Sequence, residues 1–413
     1  MSPWHATAVL AMGYALYAIL LNSVGTVILQ SIATFHVDKL AASTLEAFKD
    51  LTIAITSFTL AAQVPRLGLK TAMLLSLVLA ATGCLLAAMA GSLGDKGFWA
   101  MRGLFLCIGL GFALMKVAVY AAIGCFTASA STHARMLGIV ESLFMVAVVA
   151  SGWLFALFID PTHPGSTGWL HVYWWLIGGC VATALAVMSG RFPSTAPTEH
   201  GAEKGAGSAS FTGMLALLGW RVMQIFILGV FLYVFVEQGI GTWLPSINHL
   251  VLGLDEAMAV KAASAFALAI ATGRFVAGLA VARIGWFRLL MLCLAGMAII
   301  LTVVPMIAHG TRQPVAEWSQ VPMATWMLAG VGFFMAPLYP TLNSVVLSSV
   351  PRDRQAGLIG LIVVFSALGG TTGSRMVALL FTAIPDAQVL YSLLPPIAGL
   401  ALVVAGLHRR VAD

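Results

Sequence analysis

The sequence predicts an all-α integral membrane protein with twelve transmembrane helices. Apolar residues make up 60% of the chain and charged residues 9%, which is too little charge to cover the surface of a soluble protein of this length. The apolar runs are about twenty residues long, the length that crosses ~30 Å of hydrocarbon at ~1.5 Å per residue. They lack the alternating polarity of barrel strands, so the backbone must satisfy its hydrogen bonds within helices.

The predicted spans, called spans 1 to 12 in chain order, are separated by short polar loops. They cover residues 6–35, 44–63, 71–91, 98–126, 135–159, 171–190, 215–247, 257–281, 287–308, 323–349, 355–383 and 388–407. The even count puts both termini on one side of the membrane.

Basic residues predict which side that is. They concentrate in alternate loops and in the C-terminal tail, while the other loops hold most of the acids. Because cytoplasmic loops are enriched in Lys and Arg, we expect a multi-pass protein of the bacterial inner membrane with both termini in the cytoplasm. The residues that carry this prediction are Arg66, Lys70, Arg135, Arg191, Lys204, Arg283, Arg288, Arg352, Arg354, Arg409 and Arg410.

A flexible linker and an internal repeat divide the chain into two halves. Residues 191–211 are rich in Gly, Ala, Ser, Thr and Pro, as a cytoplasmic linker would be, and separate a six-helix bundle in 1–190 from another in 212–413. The stretch Val64–Leu69 (VPRLGL) resembles Val281–Trp286 (VARIGW), and Gly109–Phe112 (GLGF) resembles Gly330–Phe333 (GVGF). Parallel six-helix repeats are the plan of the major facilitator fold, whose two bundles rock about a central site.

Three arginines are candidate gating residues. Arg66 and Arg283 belong to the repeated turn, where they could bind helix C-terminal carbonyls or an acidic partner when the cytoplasmic side closes. A plain positive-inside anchor is the other interpretation, and both can hold. Arg274 lies deeper, in the cytoplasmic part of span 8.

Two opposite charges lie at membrane depth in adjacent antiparallel helices. Lys116 falls in span 4 and Glu141 in span 5, at depths that allow the two to meet. One interpretation is a buried structural ion pair. The other is a charged site that exchanges partners during transport, with Glu141 able to bind substrate and coupling proton.

Span 7 carries a second acid in a segment that glycines should bend. Glu237 and Gln238 precede Gly239 and Gly241, and Trp243 follows. Bent helices expose backbone groups, which is tolerated only beside protein or water. We expect Glu237 to carry a coupling proton; a hydrogen-bonded structural carboxyl is the alternative.

Uncharged polar residues complete the candidate substrate site. They are Asn22 and Gln30 in span 1 and Tyr339, Thr341 and Asn343 in span 10, with Gln238 and Trp243 from span 7. Amides, hydroxyls and an aromatic face suit hydroxylated solutes, although such residues also join helices to one another. By contrast, the spacing of Glu46, Lys49 and Asp50 at the outer start of span 2 favours a solvated rim.

Several stretches resemble the fucose:proton symporter family of the major facilitator superfamily. They are Tyr233–Leu244 (YVFVEQGIGTWL) in span 7, Gly273-Arg274-Phe275 with Gly278 in span 8, Pro337–Thr341 (PLYPT) in span 10, and Leu137–Leu143 around Glu141. The resemblance covers most of the chain, is thin in spans 1 and 12, and looks closer to the TsgA-like branch than to the fucose carrier. It implies proton-coupled uptake of sugars or related solutes.

The chain departs from that family where the family carries its acids. The corresponding positions hold Gly25 or Thr26 in span 1, and Leu114 followed by Lys116 in span 4. Glu141 and Glu237 are therefore the remaining candidates for proton coupling, and Lys116 indicates a substrate or partner with negative charge.

Missing motifs limit the function further. No phosphate-binding GxxxxGK[ST] loop, metal-ligand spacing or soluble catalytic domain is present in the sequence, so we expect a gradient-driven, monomeric transporter rather than an enzyme, with no cofactor, no metal and no nucleic acid. Its partners would be a small-molecule substrate, protons and the lipid bilayer. An exporter of amphipathic drugs or metabolites is the first alternative, and a non-transporting receptor or scaffold the second.

Overall fold

The computed structural model describes residues 3–60, 67–127, 129–190, 192, 217–308 and 315–411. Within them, eleven helices are long and apolar enough to cross a membrane. The helix Thr44–Leu60, seventeen residues long, supplies span 2. The predicted all-α fold with twelve spans is therefore confirmed.

The observed spans follow the predicted order. Span 1 consists of Pro3–Asn22 and Val24–Phe35, span 2 of Thr44–Leu60, span 3 of Leu69–Ala88, span 4 of Gly97–Phe126, span 5 of Ala130–Ala156 and span 6 of Val172–Ser189. Span 7 consists of Arg221–Gly241 and Leu244–Leu250, span 8 of Glu256–Ile284, span 9 of Trp286–Ile307, span 10 of Met323–Met335 and Leu338–Ser349, span 11 of Arg352–Ala383 and span 12 of Leu394–Val411.

Spans 1, 7 and 10 each consist of two helices separated by a short break. Span 7 breaks at Thr242 and Trp243, just beyond the predicted glycines, and Pro245 begins the following short helix. Span 10 breaks at Pro337, which lacks the N–H that an unbroken helix would need there. The breaks in spans 1 and 7 lie beside each other, because a Cβ on Gly25 would overlap the carbonyl oxygen of Thr242.

The repeated turn has the same backbone conformation in both halves. Gly68 has a φ of 81° and Gly285 a φ of 77°, a region that residues with a Cβ rarely adopt. Each glycine immediately precedes the next span, Leu69–Ala88 or Trp286–Ile307. The sequence repeat thus encodes a tight turn at equivalent places.

Among the described elements, most spans pack within their own half, and four pairs of elements make extensive contacts between the halves. Span 5 packs on span 8, span 2 on span 11, Val24–Phe35 on Leu244–Leu250, and the single turn Lys39–Ala42 on span 11. We call the end of the bundle that holds Ser189 and Arg221 the linker end, and the opposite end the distal end. The predicted linker, apart from residue 192, lies outside the described residues.

Candidate functional site

The halves are bound together at the distal end. The amide of Gln30 donates to Glu256 Oε2 at 2.7 Å, and both side chains are buried. Lys39 forms an ion pair with Asp386 at 3.3 Å and reaches the carbonyl of Phe381 at 3.4 Å. Gln30 therefore lies in the closure between the halves in this conformation, rather than on an open substrate surface.

Aromatic side chains extend this closure. The indole N–H of Trp153 in span 5 donates to the hydroxyl of Ser264 in span 8 at 3.0 Å, and Trp318 stacks on Trp153. Trp243 is fully buried, packs against Phe381 and donates its indole N–H to Ser374 at 3.0 Å. Trp243 thus supports the break in span 7, and its ring faces protein on all sides.

A buried charged cluster lies beside the same break. Glu46 and Lys49 are buried and Asp50 nearly so, with Lys49 Nζ 2.7 Å from Glu46 Oε1 and 3.5 Å from Asp50 Oδ1. The expectation of a solvated rim is wrong. The prediction fails because this face of span 2 packs against span 11 of the other half and is hydrogen-bonded by Thr242 at the break in span 7. Spacing within one helix cannot reveal such contacts.

The cluster is connected to span 7 by one hydroxyl group. Thr242 Oγ1 lies 2.9 Å from Glu46 Oε2 and 3.0 Å from Gln238 Oε1. On the span 11 side, Gly370 leaves room for Asp50: a Cβ on that glycine would stand 2.6 Å from Asp50 Oδ2. The amide of Gln238 therefore contacts the hydroxyl that joins the halves, and it stays a candidate substrate ligand.

Glu237 points into a polar region within the C-terminal half. Its Oε1 accepts a hydrogen bond from the hydroxyl of Tyr233 at 3.0 Å. The ring of Tyr233 lies 5.3 Å from that of Tyr339 in span 10. Arg274 of span 8 and Lys49 of the cluster both interact electrostatically with the Glu237 carboxylate. Four of the predicted residues, counting Gln238, are thus brought together.

Spans 10 and 11 add polar atoms that lack hydrogen-bond partners. The hydroxyl of Tyr339 lies beside the side chains of Asn343 and Ser366. Asn343 Oδ1 and Ser366 Oγ are buried, and within the described part of the chain neither makes a hydrogen bond. Buried polar atoms are normally hydrogen-bonded, so a hydroxylated ligand that reached these two atoms would supply the missing partner.

The N-terminal half carries a similar arrangement. Glu141 Oε1 accepts a hydrogen bond of 2.6 Å from the hydroxyl of Tyr120. Lys116 is exposed one helical turn before Tyr120 and interacts electrostatically with Glu141, but within the described residues no acid lies within 4 Å of its ammonium group. Sequence reasoning missed Tyr120, although it lies four residues after Lys116 and therefore on the same face of span 4.

The remaining predicted residues are placed as follows. Asn22 is exposed beside the break in span 1 and donates to the carbonyl of Ala18 at 2.9 Å. Arg274 is exposed in span 8, and Arg283 is exposed beside the Gly285 turn. Arg66 lies outside the described residues.

Comparison with known proteins agrees with this architecture. A sequence model of the Major Facilitator Superfamily matches residues 10–374. No curated protein sequence matches the chain. Among solved structures, it is similar to a variant of the nucleoside transporter NupG (12% identity, 97% of this chain and 99% of that one, TM-score 0.77). It is also similar to a D-xylose-proton symporter (13%, 98% and 97%, 0.73) and to the E. coli fucose:proton symporter FucP (18%, 97% and 98%, 0.59). At these identities the likeness shows the fold alone.

Proposed function

Because the chain belongs to the major facilitator superfamily, and is therefore a membrane transporter rather than an enzyme, we propose that it moves a small polar solute by alternating access coupled to protons. The solute is a sugar, a sugar derivative or a small anionic metabolite. The membrane is the bacterial inner membrane, with the linker end and both termini in the cytoplasm. Basic residues at the linker end, such as Arg283 and Arg288, support this orientation.

The observation that carries the proposal is a pair of similar acid sites, one in each half. Glu141 accepts a hydrogen bond from Tyr120, and Glu237 accepts one from Tyr233. Each carboxylate also has a basic residue nearby, Lys116 in one half and Arg274 in the other. Ionisable groups at membrane depth are costly, and their pairing across a two-bundle transporter supports a role in proton and substrate movement.

The substrate class follows from the groups that remain available. Lys116 offers a positive charge without an acid within 4 Å in the described residues, and Asn343 and Ser366 offer unpartnered polar atoms. Asn22, Gln238 and Tyr339 add an exposed amide, a second amide and an aromatic hydroxyl. A solute with several hydroxyls and one anionic group would satisfy this set.

Alternating access requires the two ends to open in turn. Every hydrogen bond and ion pair described above between the halves lies at the distal end, so we assign the observed arrangement to a state closed at that end. In the opposite state Arg66 and Arg283 would hold the linker end closed, with Arg274 assisting from deeper in span 8.

Uptake into proteoliposomes tests the proposal. A panel of labelled sugars, amino sugars, sugar acids and nucleosides would be offered under an imposed pH gradient and without one. We expect at least one hydroxylated solute to accumulate only with the gradient. Accumulation of a substrate at the same level with and without the gradient would refute proton coupling, and no uptake of any panel member would refute the substrate class.

Export of amphipathic cations is the second candidate, and one feature favours it. Beside Glu141 lies a cluster of aromatic rings, with Tyr14 4.7 Å from Phe144 and 6.0 Å from Phe112. Aromatic faces and a carboxylate bind organic cations. A deletion strain with unchanged sensitivity to cationic drugs and unchanged metabolite secretion would exclude this role.

A further inference from the structure

The cluster formed by Glu46, Lys49 and Asp50 has an odd charge balance for a buried site. Two carboxylates share one ammonium group, so the cluster carries one net negative charge when all three are ionised. Glu46 is completely buried and Lys49 almost so. Burying an uncompensated charge is strongly unfavourable, and a carboxyl group in such a place takes up a proton instead.

The contacts within the cluster indicate which of the two carboxylates takes up the proton. Glu46 has two close partners, because Lys49 Nζ lies 2.7 Å from its Oε1 and the hydroxyl of Thr242 lies 2.9 Å from its Oε2. Asp50 Oδ1 is farther from the ammonium, at 3.5 Å. Asp50 is therefore the less well compensated carboxylate and the better place for the added proton.

Charged groups on the neighbouring spans do not supply the missing positive charge. On span 4, Arg102 donates to the hydroxyl of Thr44 at 3.1 Å and lies over the ring of Trp99, toward the distal rim. Arg375 of span 11 is exposed. Neither arginine comes within 4 Å of Glu46 or Asp50.

The other packed elements make the surroundings more negative or leave them unchanged. Span 7 contributes Glu237, which interacts electrostatically with Glu46 and Lys49. Lys39, on the turn before span 2, is engaged by Asp386. The helix Val24–Phe35 contains no charged residue.

Two contacts from the other half cover the cluster at the distal end. Thr242 of span 7 bonds Glu46, and span 11 covers Asp50 at Gly370. Opening the distal end must break the bond from Thr242 and move span 11 away from Asp50. Water would then solvate the cluster. Its charge balance is therefore coupled to the conformation of the protein.

We propose that this cluster binds one proton, carried by Asp50, and that the bound proton allows the distal end to close. Without the proton the ionised cluster favours the arrangement in which the distal end is open and water solvates Asp50. The role of this proton in transport rests on the proposed function. The closing of the distal end on protonation of Asp50 does not require substrate.

The sign of the pH dependence follows from proton linkage. If the closed state binds one proton more than the open state, the closed-to-open ratio rises about tenfold for each unit that the pH falls, until both states are protonated. In Asp50→Asn the cluster has no net charge as long as Glu46 and Lys49 are both ionised. This variant should stay closed at the distal end and lose the pH dependence.

Spin-label distance measurements on the purified full chain, without substrate, test this. The labels would be placed at Leu93→Cys and Gln388→Cys, which are exposed at the distal end of opposite halves, in a background with the five native cysteines replaced. We expect a shift from long to short distances as the pH falls. Asp160→Asn, which removes an exposed acid at the same end whose hydrogen-bond partners, Thr162 and His163, lie in its own loop, is the matched control and should keep the shift.

Three results would overturn the proposal. They are a wild-type distance distribution that does not change with pH, an Asp50→Asn variant that shifts as the wild type does, and a control Asp160→Asn that has lost the shift. If Asp50→Asn does not fold, the wild-type distances measured against pH still test the proposal, because distances that do not change with pH refute it. If the distance shift is intact but no proton-driven uptake is found, the proposed function is refuted, whereas the proton-dependent closing of the distal end is not.

Discussion

The hydroxyl of Thr242 lies 2.9 Å from Glu46 Oε2 and joins the break in span 7 of one half to the buried charges of span 2 in the other. The two residues are 196 positions apart in the chain. The same hydroxyl lies 3.0 Å from Gln238 Oε1. This single group therefore connects the distal closure, the charged cluster and the polar face of span 7.

Thr242→Val should weaken the closure at the distal end. The substitution keeps the shape of the side chain but leaves Glu46 Oε2 buried without its donor, which costs about 1–3 kcal/mol in the closed state. The labels at Leu93→Cys and Gln388→Cys should report a larger open fraction at every pH. Thr242→Ser keeps the hydroxyl and is the control; an open fraction in Thr242→Val equal to that of Thr242→Ser would contradict the role of this bond.

Gly25→Ala should prevent the distal end from closing as observed. A Cβ at Gly25 would overlap the carbonyl oxygen of Thr242 and approach Pro245 Cδ to 3.3 Å, so span 1 and the break in span 7 could no longer meet. We expect long distances between the same two labels and loss of uptake. Gly124→Ala, with no atom within 4 Å of the added Cβ, is the control. Short distances in Gly25→Ala would show that the closure tolerates the methyl group.

Part of this architecture was predictable because it is local. Apolar runs of sufficient length define spans, and the repeated basic-glycine turn predicts the conformations of Gly68 and Gly285. The nearness of Lys116 to Glu141 followed from the depths of two antiparallel helices, although the hydrogen bond that Glu141 accepts comes from Tyr120.

The rest depends on contacts between distant parts of the chain. Glu46, Lys49 and Asp50 have the spacing of an exposed helical charge cluster, but span 11 and the break in span 7 contact them from the other half. The bond from Gln30 to Glu256 spans 226 positions, so no pattern around either residue distinguishes a gate contact from a substrate ligand. Hydropathy locates helices in the membrane, but it does not determine which polar face meets which.

Lys116→Gln should impair recognition of an anionic substrate. The ammonium group is exposed and, within the described residues, free of any acid within 4 Å, so it can form a charge-assisted hydrogen bond with a substrate anion. Loss of such a bond costs about 1.5–3 kcal/mol, which corresponds to roughly a ten- to hundredfold rise in KM for uptake. Lys96→Gln, an exposed lysine in the distal turn before span 4, is the control and should leave KM unchanged. An unchanged KM in Lys116→Gln for every anionic substrate would exclude this contact.

Glu141→Gln and Glu237→Gln should separate proton coupling from solute movement. Each amide keeps the size of the carboxyl and can still accept a hydrogen bond from Tyr120 or Tyr233, but it cannot gain or lose the coupling proton. Accumulation driven by a pH gradient should therefore fall to the level seen without a gradient. Exchange of labelled for unlabelled substrate across the same liposomes should continue, because exchange needs no net proton movement. Glu317→Gln changes an exposed acid beside Trp318 and should behave as the wild type in both assays. Full gradient-driven accumulation in both Glu141→Gln and Glu237→Gln would remove these two acids from the proton route and leave Asp50 as the carboxylate to test next.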